Sequence, residues 1–240
     1  MKELIKKLIK AFPIAFTQNQ KYDRQTTKVI RKVCKPDSNC IDVGCHKGEV
    51  FDIMITYAPQ GQHIGFEPIP AMCEALLRKY AGTNHAISPI ALSDKKGQVT
   101  FNYVLTNPAY SGLQKRQYDK PDEKDTLIEV QTDLLDAVIS ADKKVDFLKI
   151  DVEGGEFGVL NGAKETIKRH KPVIIFEHGL GASDAYGTTP DKVFGLLTEC
   201  GMAVSTMENW LNGKPPFSQS EFEQQYYEKI NYYFIAYSLI

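Results

Sequence analysis

The 240-residue sequence lacks several features that would assign it to a class at once. Its five cysteines are scattered and form no CxxC pair, which argues against a disulfide framework or a structural zinc site and predicts a reducing, cytoplasmic compartment. The formal net charge is -1, so no global positive field attracts nucleic acid, and we expect no nucleic-acid partner. No apolar run approaches the roughly 18 residues that span a bilayer. What remains is a globular composition, with 42% hydrophobic and 25% charged residues.

The N-terminal stretch 1–12, MKELIKKLIKAF, is not a secretory signal, because Lys6, Lys7 and Lys10 interrupt what would be its apolar core. Its apolar residues share one helical face, which predicts an amphipathic helix. We expect this helix to cap the domain, and contact with a membrane surface or a partner is the alternative. The expected division is an N-terminal extension, 1–21, followed by one domain, 22–240.

Helix-like and strand-like stretches alternate from residue 22 onward, which predicts an α/β fold. Apolar runs at 145–151 and 173–177 end in acids and flank a helix at 156–170, the connection that parallel strands require. Further strands are predicted at 39–44, 63–67, 85–92 and 97–105, and helices at 22–33, 48–57 and 70–80. Strand-like runs at 203–207 and 232–238 suggest an antiparallel edge. We therefore expect a doubly wound sheet with an antiparallel C-terminal strand.

The stretch 39–49, NCIDVGCHKGE, follows the first predicted strand, where open α/β sheets bind their ligands. The dinucleotide fingerprint GxGxxG does not fit, because His46 and Glu49 stand two and five residues after Gly44. The phosphate-binding GxxxxGK[ST] motif does not fit either, since Gly44 and Gly48 are one residue too close and the Lys-Ser/Thr pair is missing. The turn therefore requires another class of cofactor.

The motif present is DxGxxxG, formed by Asp42, Gly44 and Gly48. Glu67 ends the second predicted strand 19 residues after Gly48, where a carboxylate can accept hydrogen bonds from both hydroxyls of a ribose. An acid on the first strand, two spaced glycines and an acid after the second strand resemble the S-adenosylmethionine (SAM) site of class I methyltransferases.

Three further segments extend the resemblance: FEP at 66–68, ALSDKKG at 91–97 and FLKIDVEGGEFGVLNGA at 147–163. With them the chain, from about residue 22 to 177, closely resembles the FkbM family of methyltransferases. The resemblance implies a Rossmann-like seven-stranded sheet whose last strand is antiparallel, and O-methylation of a sugar, glycan or natural-product hydroxyl. His46 stands where the family commonly has asparagine. The residues expected to bind SAM are Asp42, Gly44, His46, Gly48, Glu67, Pro68, Ala91, Ser93 and Asp151. An NAD(P)-dependent oxidoreductase and an inert methyltransferase-like binding module are the alternatives.

The methyl acceptor needs a group that receives its proton, and Asp151 is our first candidate because it ends an apolar strand at the ligand crevice. Lys149 shares its side of the strand. Glu177 and His178 end the next strand, so Asp151, Glu177 and His178 are the residues that would hold a divalent metal. The metal-free alternative, which we favour, uses His178 as general base.

Acceptor recognition is assigned to the loops at 106–113 and 179–190, where Tyr110 and Tyr186 are candidates for stacking on a sugar ring. The first belongs to a polar loop at 106–126, which is long enough to suggest a function.

Overall fold

The computed structural model describes residues 17–118 and 121–239. The helix expected at 1–12 lies outside the described residues. The first described helix, α1, is Gln18–Val33, so the division expected between residues 21 and 22 falls inside a helix. Thr17 caps this helix by accepting a hydrogen bond from the Gln20 amide at 3.2 Å. Its buried side packs on the domain, so this part of the chain belongs to the domain itself.

The strands are β1 Cys40–Val43, β2 Ile64–Phe66, β3 Ala86–Ser88, β4 Ile90–Leu92, β5 Gly97–Val104, β6 Asp125–Asp133, β7 Phe147–Ile150, β8 Val173–Glu177, β9 Ala203–Ser205 and β10 Tyr233–Tyr237. The helices after α1 are α2 Glu49–Tyr57, α3 Pro70–Lys79, α4 Leu135–Val138, α5 Glu156–Asn161, α6 Lys164–His170, α7 Pro190–Glu199, α8 Met207–Leu211 and α9 Gln219–Tyr227. Within the described ranges, no helix is both long and apolar enough to cross a membrane.

The main sheet of the described chain has seven strands in the order β3-β2-β1-β7-β8-β10-β9. Strands β3, β2, β1, β7 and β8 pair in parallel, which confirms the doubly wound fold. Strand β10 is antiparallel to both of its neighbours. The two C-terminal strands thus form the antiparallel edge that the sequence suggested, and within it β10 lies between β8 and β9. Its three central residues, Phe234, Ile235 and Ala236, are fully buried and need cover on both faces, which an internal position provides.

A second sheet of three strands, in the order β4-β6-β5, lies beside the first. The strand predicted at 85–92 is divided at Pro89, which has no N–H for the ladder, so β3 joins the main sheet and β4 the second. Strand β5 confirms the strand predicted at 97–105. Strand β6 was not predicted, because only two of its nine residues are buried and none of the first five is. It also shortens the polar loop that was expected to reach residue 126.

The helix predicted at 156–170 is divided into α5 and α6 at Gly162. A Cβ at Gly162 would lie less than 3.0 Å from the backbone carbonyl of Ser93, so the helical segment passes close to the loop after β4. This close approach explains a glycine at the point where one helix ends and the next begins.

Two apolar layers cover the main sheet, and side chains alternate between them along each strand. Cys40 and Phe147 face the layer that contains α1 and α2. By the same alternation Asp42 and Lys149 point to that side, near the carboxyl ends of β1 and β7. These two charged residues therefore lie where the apolar layer gives way to the ligand crevice.

Candidate active site

A cavity of about 680 Å³ opens at the carboxyl ends of the parallel strands, and its size suits a small-molecule cofactor together with part of an acceptor. The predicted site residues that line it are Asp42, Gly44, His46, Glu67, Pro68, Ala91, Lys149, Asp151 and Glu177. Gly48, Ser93 and His178 are not among its lining residues. Most of the predicted residues are thus brought together in one place.

Glu67 joins the turns after β1 and β2. Its carboxylate accepts hydrogen bonds from the His46 amide at 2.8 Å and from the Ile69 amide at 3.0 Å. The side chain is buried yet lines the cavity. Each carboxylate oxygen has a further lone pair, so a ligand hydroxyl can still be bound. Glu67 therefore shapes the turn as well as presenting a charge to the cavity.

Gly44 has a left-handed φ of +76°, and an added Cβ would lie less than 3.0 Å from the Asp151 carbonyl oxygen. The close neighbour is protein backbone rather than ligand space, so a side chain at this position would strain the turn itself. Gly48 has the same φ and precedes α2, with Tyr80 packed against it. Both glycines shape the turn, and Gly44 also faces the cavity.

Lys149 is buried at the centre of the site. Its Nζ donates to the Gly44 carbonyl at 2.9 Å and lies 3.2 Å from an Asp42 oxygen and 3.5 Å from Asp151 Oδ2. Burial acts to lower the pKa of Lys149, but the charges of Asp42 and Asp151 outweigh it and raise the pKa above its ordinary value. Lys149 is therefore a fixed cation that holds two turns and two acids, not a proton acceptor.

Asp151 is the acid that follows β7, and its side chain is 31% exposed towards the cavity. Its Oδ2 accepts a hydrogen bond from the Tyr233 hydroxyl at 2.7 Å. Burial acts to raise the pKa of Asp151, whereas Lys149 and Tyr233 act to lower it and prevail. The carboxylate is consequently ionised and sits at the edge of the open space.

Two more acids accompany Asp151. Oxygen atoms of Asp151, Glu153 and Glu177 all lie within 4.8 Å of one another, an arrangement that could hold a metal ion. Arg116 forms an ion pair with Glu153 and stacks its guanidinium 5.1 Å from the Tyr110 ring centre. Burial raises the pKa of Glu153 to about 8, with Asp151 adding to the effect and Arg116 opposing it. Burial also raises the pKa of Glu177, and its acidic neighbours add to this.

The turn at 152–156, VEGGE, owes its shape to a fourth acid, Glu156. Its Oε1 accepts from the Val152 amide at 2.9 Å and from the Gly154 amide at 3.1 Å. Glu153 adopts a left-handed φ of +58°, which is unusual for a residue with a side chain. The turn that Glu156 closes is therefore what places Glu153 beside Asp151.

The structure does not bring His178 to the cavity. The ring is 1% exposed, stacks 4.7 Å from Tyr226 and 5.9 Å from Phe222, and has both nitrogens buried without a hydrogen-bond partner. Burial lowers the pKa of His178 to about 4, so the ring is neutral. Adjacent residues of a strand point to opposite faces, and Glu177 takes the face of the crevice. The predicted acid–acid–histidine set is thus corrected: Glu153 joins Asp151 and Glu177 in place of His178.

Two other predicted contacts need correction. The Tyr186 hydroxyl accepts a hydrogen bond from the Gln114 amide at 3.0 Å, and its ring packs against Gly154, so it supports the turn and does not line the cavity. The Ser93 Oγ lies 3.4 Å from Asp94 Oδ1, away from the open space. Tyr110, by contrast, lines the cavity.

Tyr233 and Arg116 are cavity residues that the sequence did not single out. Tyr233 lies in a strand-like run and Arg116 in the polar loop before β6, and neither carries a local signal of function. Helix α1 contributes Tyr22 and Asp23 to the same cavity, which nothing in the sequence pattern indicated. Long-range packing alone assembles this side of the cavity.

The profile described as "Methyltransferase FkbM domain" matches residues 42–203. The chain is 26% identical over 172 residues to 2-O-methyltransferase NoeI of Sinorhizobium fredii, an alignment that covers 64% of this chain and 67% of NoeI. It is 24% identical over 216 residues to the AMB antimetabolite synthetase AmbE of Pseudomonas aeruginosa, covering 75% of this chain but only 10% of AmbE.

Among solved structures, the fold is similar to that of Methyltransferase FkbM from Methylobacillus flagellatus KT, with a TM-score of 0.52 at 16% identity. That match covers 85% of this chain and 44% of the longer protein. A putative rRNA-methylase from Clostridium thermocellum has a TM-score of 0.50 at 10% identity, and the match covers 90% of this chain and 96% of that one. These likenesses show a shared fold.

The profile match covers the strands, turns and acids that build the cavity, from Asp42 through the VEGGE turn to β9. It argues against the oxidoreductase alternative, which the missing third glycine had already disfavoured. The chain therefore belongs to the FkbM family of SAM-dependent methyltransferases.

Proposed function

We propose that the protein transfers a methyl group from SAM to a hydroxyl of a sugar, a glycan or a small natural product. The observation that carries this proposal is an ionised carboxylate, Asp151, in one cavity with Glu67 and Asp42. When bound, SAM supplies an electrophilic methyl carbon on a sulfonium. The protein must then align an acceptor oxygen with that carbon and receive the acceptor's proton.

The cofactor half of the cavity fits this donor. Glu67 offers charged acceptors for the ribose hydroxyls, and His46, Pro68 and Ala91 line the surrounding wall. Asp42 also belongs to this half, with both of its oxygens buried and Lys149 Nζ 3.2 Å from one of them. Gly48 and Ser93 would act through the turns and loops that they shape.

The acceptor half supplies the proton acceptor. Asp151 is ionised, faces the open space and has Lys149 beside it to fix its position. A carboxylate in hydrogen-bond reach of a hydroxyl can remove its proton as the oxygen–carbon bond forms and the methyl carbon–sulfur bond breaks, with the electron pair of that bond leaving on sulfur. We assign Asp151 as the general base and Lys149 as its positioning residue, and the buried His178 has neither role.

The three acids at the site could instead hold a divalent ion, since hard cations prefer carboxylate oxygens. Lys149 already pairs with Asp151, and Arg116 with Glu153, so a metal would have to compete with two resident cations. We therefore propose the metal-free route. If a metal were bound, Asp151, Glu153 and Glu177 would hold it and it would stabilise the acceptor oxyanion.

Two observations support an alcohol acceptor. NoeI, to which the chain is similar, is named a 2-O-methyltransferase. In addition, Tyr110 and Tyr22 line the acceptor side of the cavity, and aromatic rings of this kind can pack against the apolar face of a sugar.

The proposal is tested by methyl transfer from isotopically labelled SAM to a panel of neutral sugars, glycans and polyhydroxylated small molecules. Asp151→Asn should lower kcat by roughly 10²–10⁴-fold, the usual contribution of a general base, while the Kd for SAM changes far less. Asp136→Asn is the control, because Asp136 binds the Glu165 and Thr166 amides away from the cavity.

Activity should survive EDTA. Loss of turnover in EDTA with recovery in Mg²⁺ or Mn²⁺ would show that the reaction depends on a metal, bound by the same acids, and not on a general base alone. Full activity of Asp151→Asn would show that Asp151 merely ends a strand. Binding of SAM without transfer to any acceptor in the panel would favour the inert binding module.

A further inference from the structure

Tyr233, on the antiparallel strand β10, contacts the acid assigned as general base. Its hydroxyl donates to Asp151 Oδ2 at 2.7 Å, and its side chain lines the cavity. Lys149 Nζ approaches the same oxygen at 3.5 Å. The two donors therefore converge on one oxygen of the carboxylate, which orients the group as a whole.

The tyrosine hydroxyl is held in place from two directions. Tyr233 stands opposite Glu177 in the β10–β8 ladder, which fixes its backbone at the carboxyl end of β8. On the other side, Tyr22 of α1 stacks on its ring with centroids 5.3 Å apart at 28°. Tyr22 is itself tied to the segment just before β10, because its hydroxyl donates to Asn231 Oδ1 at 3.2 Å. A rigid donor of this kind selects one orientation of its acceptor.

Several charged groups act on Asp151, so the tyrosine's influence must be separated from theirs. One of the groups around Asp151 is a cation, Lys149. The other titratable groups around Asp151 are the histidine His46 and the acids Asp42, Glu153, Glu156 and Glu177. Glu177 is also in hydrogen-bond contact with Asp151, and burial raises the pKa of Glu177. Burial acts to raise the pKa of Asp151, whereas Lys149, the Tyr233 hydroxyl and the hydrogen bond with Glu177 act to lower it. Removing the tyrosine hydroxyl alone leaves every one of these charges in place.

We propose that Tyr233 is a positioning residue for catalysis: its hydroxyl orients the Asp151 carboxylate so that it can accept the proton of the methyl acceptor. This inference rests on the proposed function, in which Asp151 is the general base. It also gives β10 a role in the chemistry, beyond completing the sheet.

The test compares Tyr233→Phe with Tyr237→Phe in the full-length protein. Tyr237 lies four residues further on the same strand, contacts Trp210 with ring centres 6.1 Å apart and does not line the cavity. The first readout is the titration of the Asp151 carboxyl carbon by ¹³C NMR, assigned with Asp151→Asn. The second is the pH profile of kcat for methyl transfer.

In Tyr233→Phe we expect the Asp151 pKa to rise by about one unit, the order expected for loss of one hydrogen bond to a carboxylate. A base must be deprotonated to act, so the acid limb of the kcat profile should move to higher pH by a similar amount. The Kd for SAM should stay within about twofold of the wild-type value, and Tyr237→Phe should change neither readout.

An unchanged Asp151 titration in Tyr233→Phe would overturn the inference, whether or not an acceptor has been found. A shifted titration with a superimposable kcat profile would also overturn it, because the hydroxyl would then have no part in the chemistry. If the wild-type protein binds SAM but transfers no methyl group, the proposed function fails, and with it the catalytic part of this inference.

Discussion

Replacing Glu67 by glutamine tests the cofactor assignment most directly. The change removes the charge and keeps one carbonyl acceptor, but the new NH₂ group must face either the His46 or the Ile69 amide, both of which are donors. One charge-assisted hydrogen bond is therefore lost, which should lower the free energy of unfolding by about 1.5–3 kcal/mol. Stability and cofactor affinity must consequently be measured separately.

The affinity loss can be worked from the same contacts. If the ribose donates two hydroxyls to Glu67, both bonds lose their charge assistance, and charge-assisted bonds are roughly twice as strong as neutral ones. A total loss of about 1.4–3 kcal/mol corresponds to a Kd for SAM raised by roughly 10- to 150-fold. Glu67→Ala should show a loss of an order of magnitude or more, with a larger fall in stability because both amides lose their acceptor.

Asp136→Asn is the matched control. Its two carboxylate oxygens also accept from backbone amides, those of Glu165 and Thr166 at 2.9 and 2.8 Å, but it does not line the cavity. Urea unfolding should show a loss of stability in both variants, whereas calorimetry should show weaker SAM binding only in Glu67→Gln. The ribose assignment is refuted if Glu67→Gln loses stability and still binds SAM with the wild-type Kd.

Two further substitutions examine Gly44 and His178. Gly44→Ala should destabilise the protein by about 1–3 kcal/mol more than the control Gly82→Ala. Both glycines have a φ of +76°, but only a Cβ at position 44 would meet backbone, at the Asp151 carbonyl. Equal midpoints of urea unfolding in the two variants would contradict this steric argument. His178→Phe should retain methyl transfer. The pKa of His178 is lowered in the folded state, so as the pH falls the unfolded chain binds the proton first. The free energy of unfolding of the wild-type protein should therefore fall by up to about 1.4 kcal/mol per pH unit because of this group, as the pH is lowered from 6.5 to 4. His178→Phe should lack this contribution, so its free energy of unfolding should change less than that of the wild type between pH 7 and pH 5. A loss of turnover in this variant would show that His178 takes part in the reaction.

The sequence by itself determined the parallel sheet and the acids at the ends of its strands. An apolar run that ends in an acid indicates both a strand and the point where that strand stops. In a parallel sheet the carboxyl ends of the strands lie along one edge, so these acids come together. Asp42, Glu67 and Asp151 could be found in this way because each belongs to a strand and its following turn. The DxGxxxG spacing likewise excluded phosphate-binding turns without any knowledge of packing.

The tertiary structure decided which face of each strand is the crevice. Glu177 and His178 are adjacent and point to opposite sides, and only the packed structure shows that the acid is the one that lines the cavity. The sequence also gave no sign that Gly44 packs against the Asp151 backbone, since that contact joins turns more than 100 residues apart.

Tyr233 and Arg116 depended on tertiary structure for a related reason. Each reaches an acid of the VEGGE region from a distant part of the chain: Tyr233 contacts Asp151 from β10, and Arg116 pairs with Glu153 from the loop before β6. Local patterns carry the periodicity of one element and the conformation of one turn. They do not specify which side chains of remote elements meet, because that is fixed only when the elements pack around a common core.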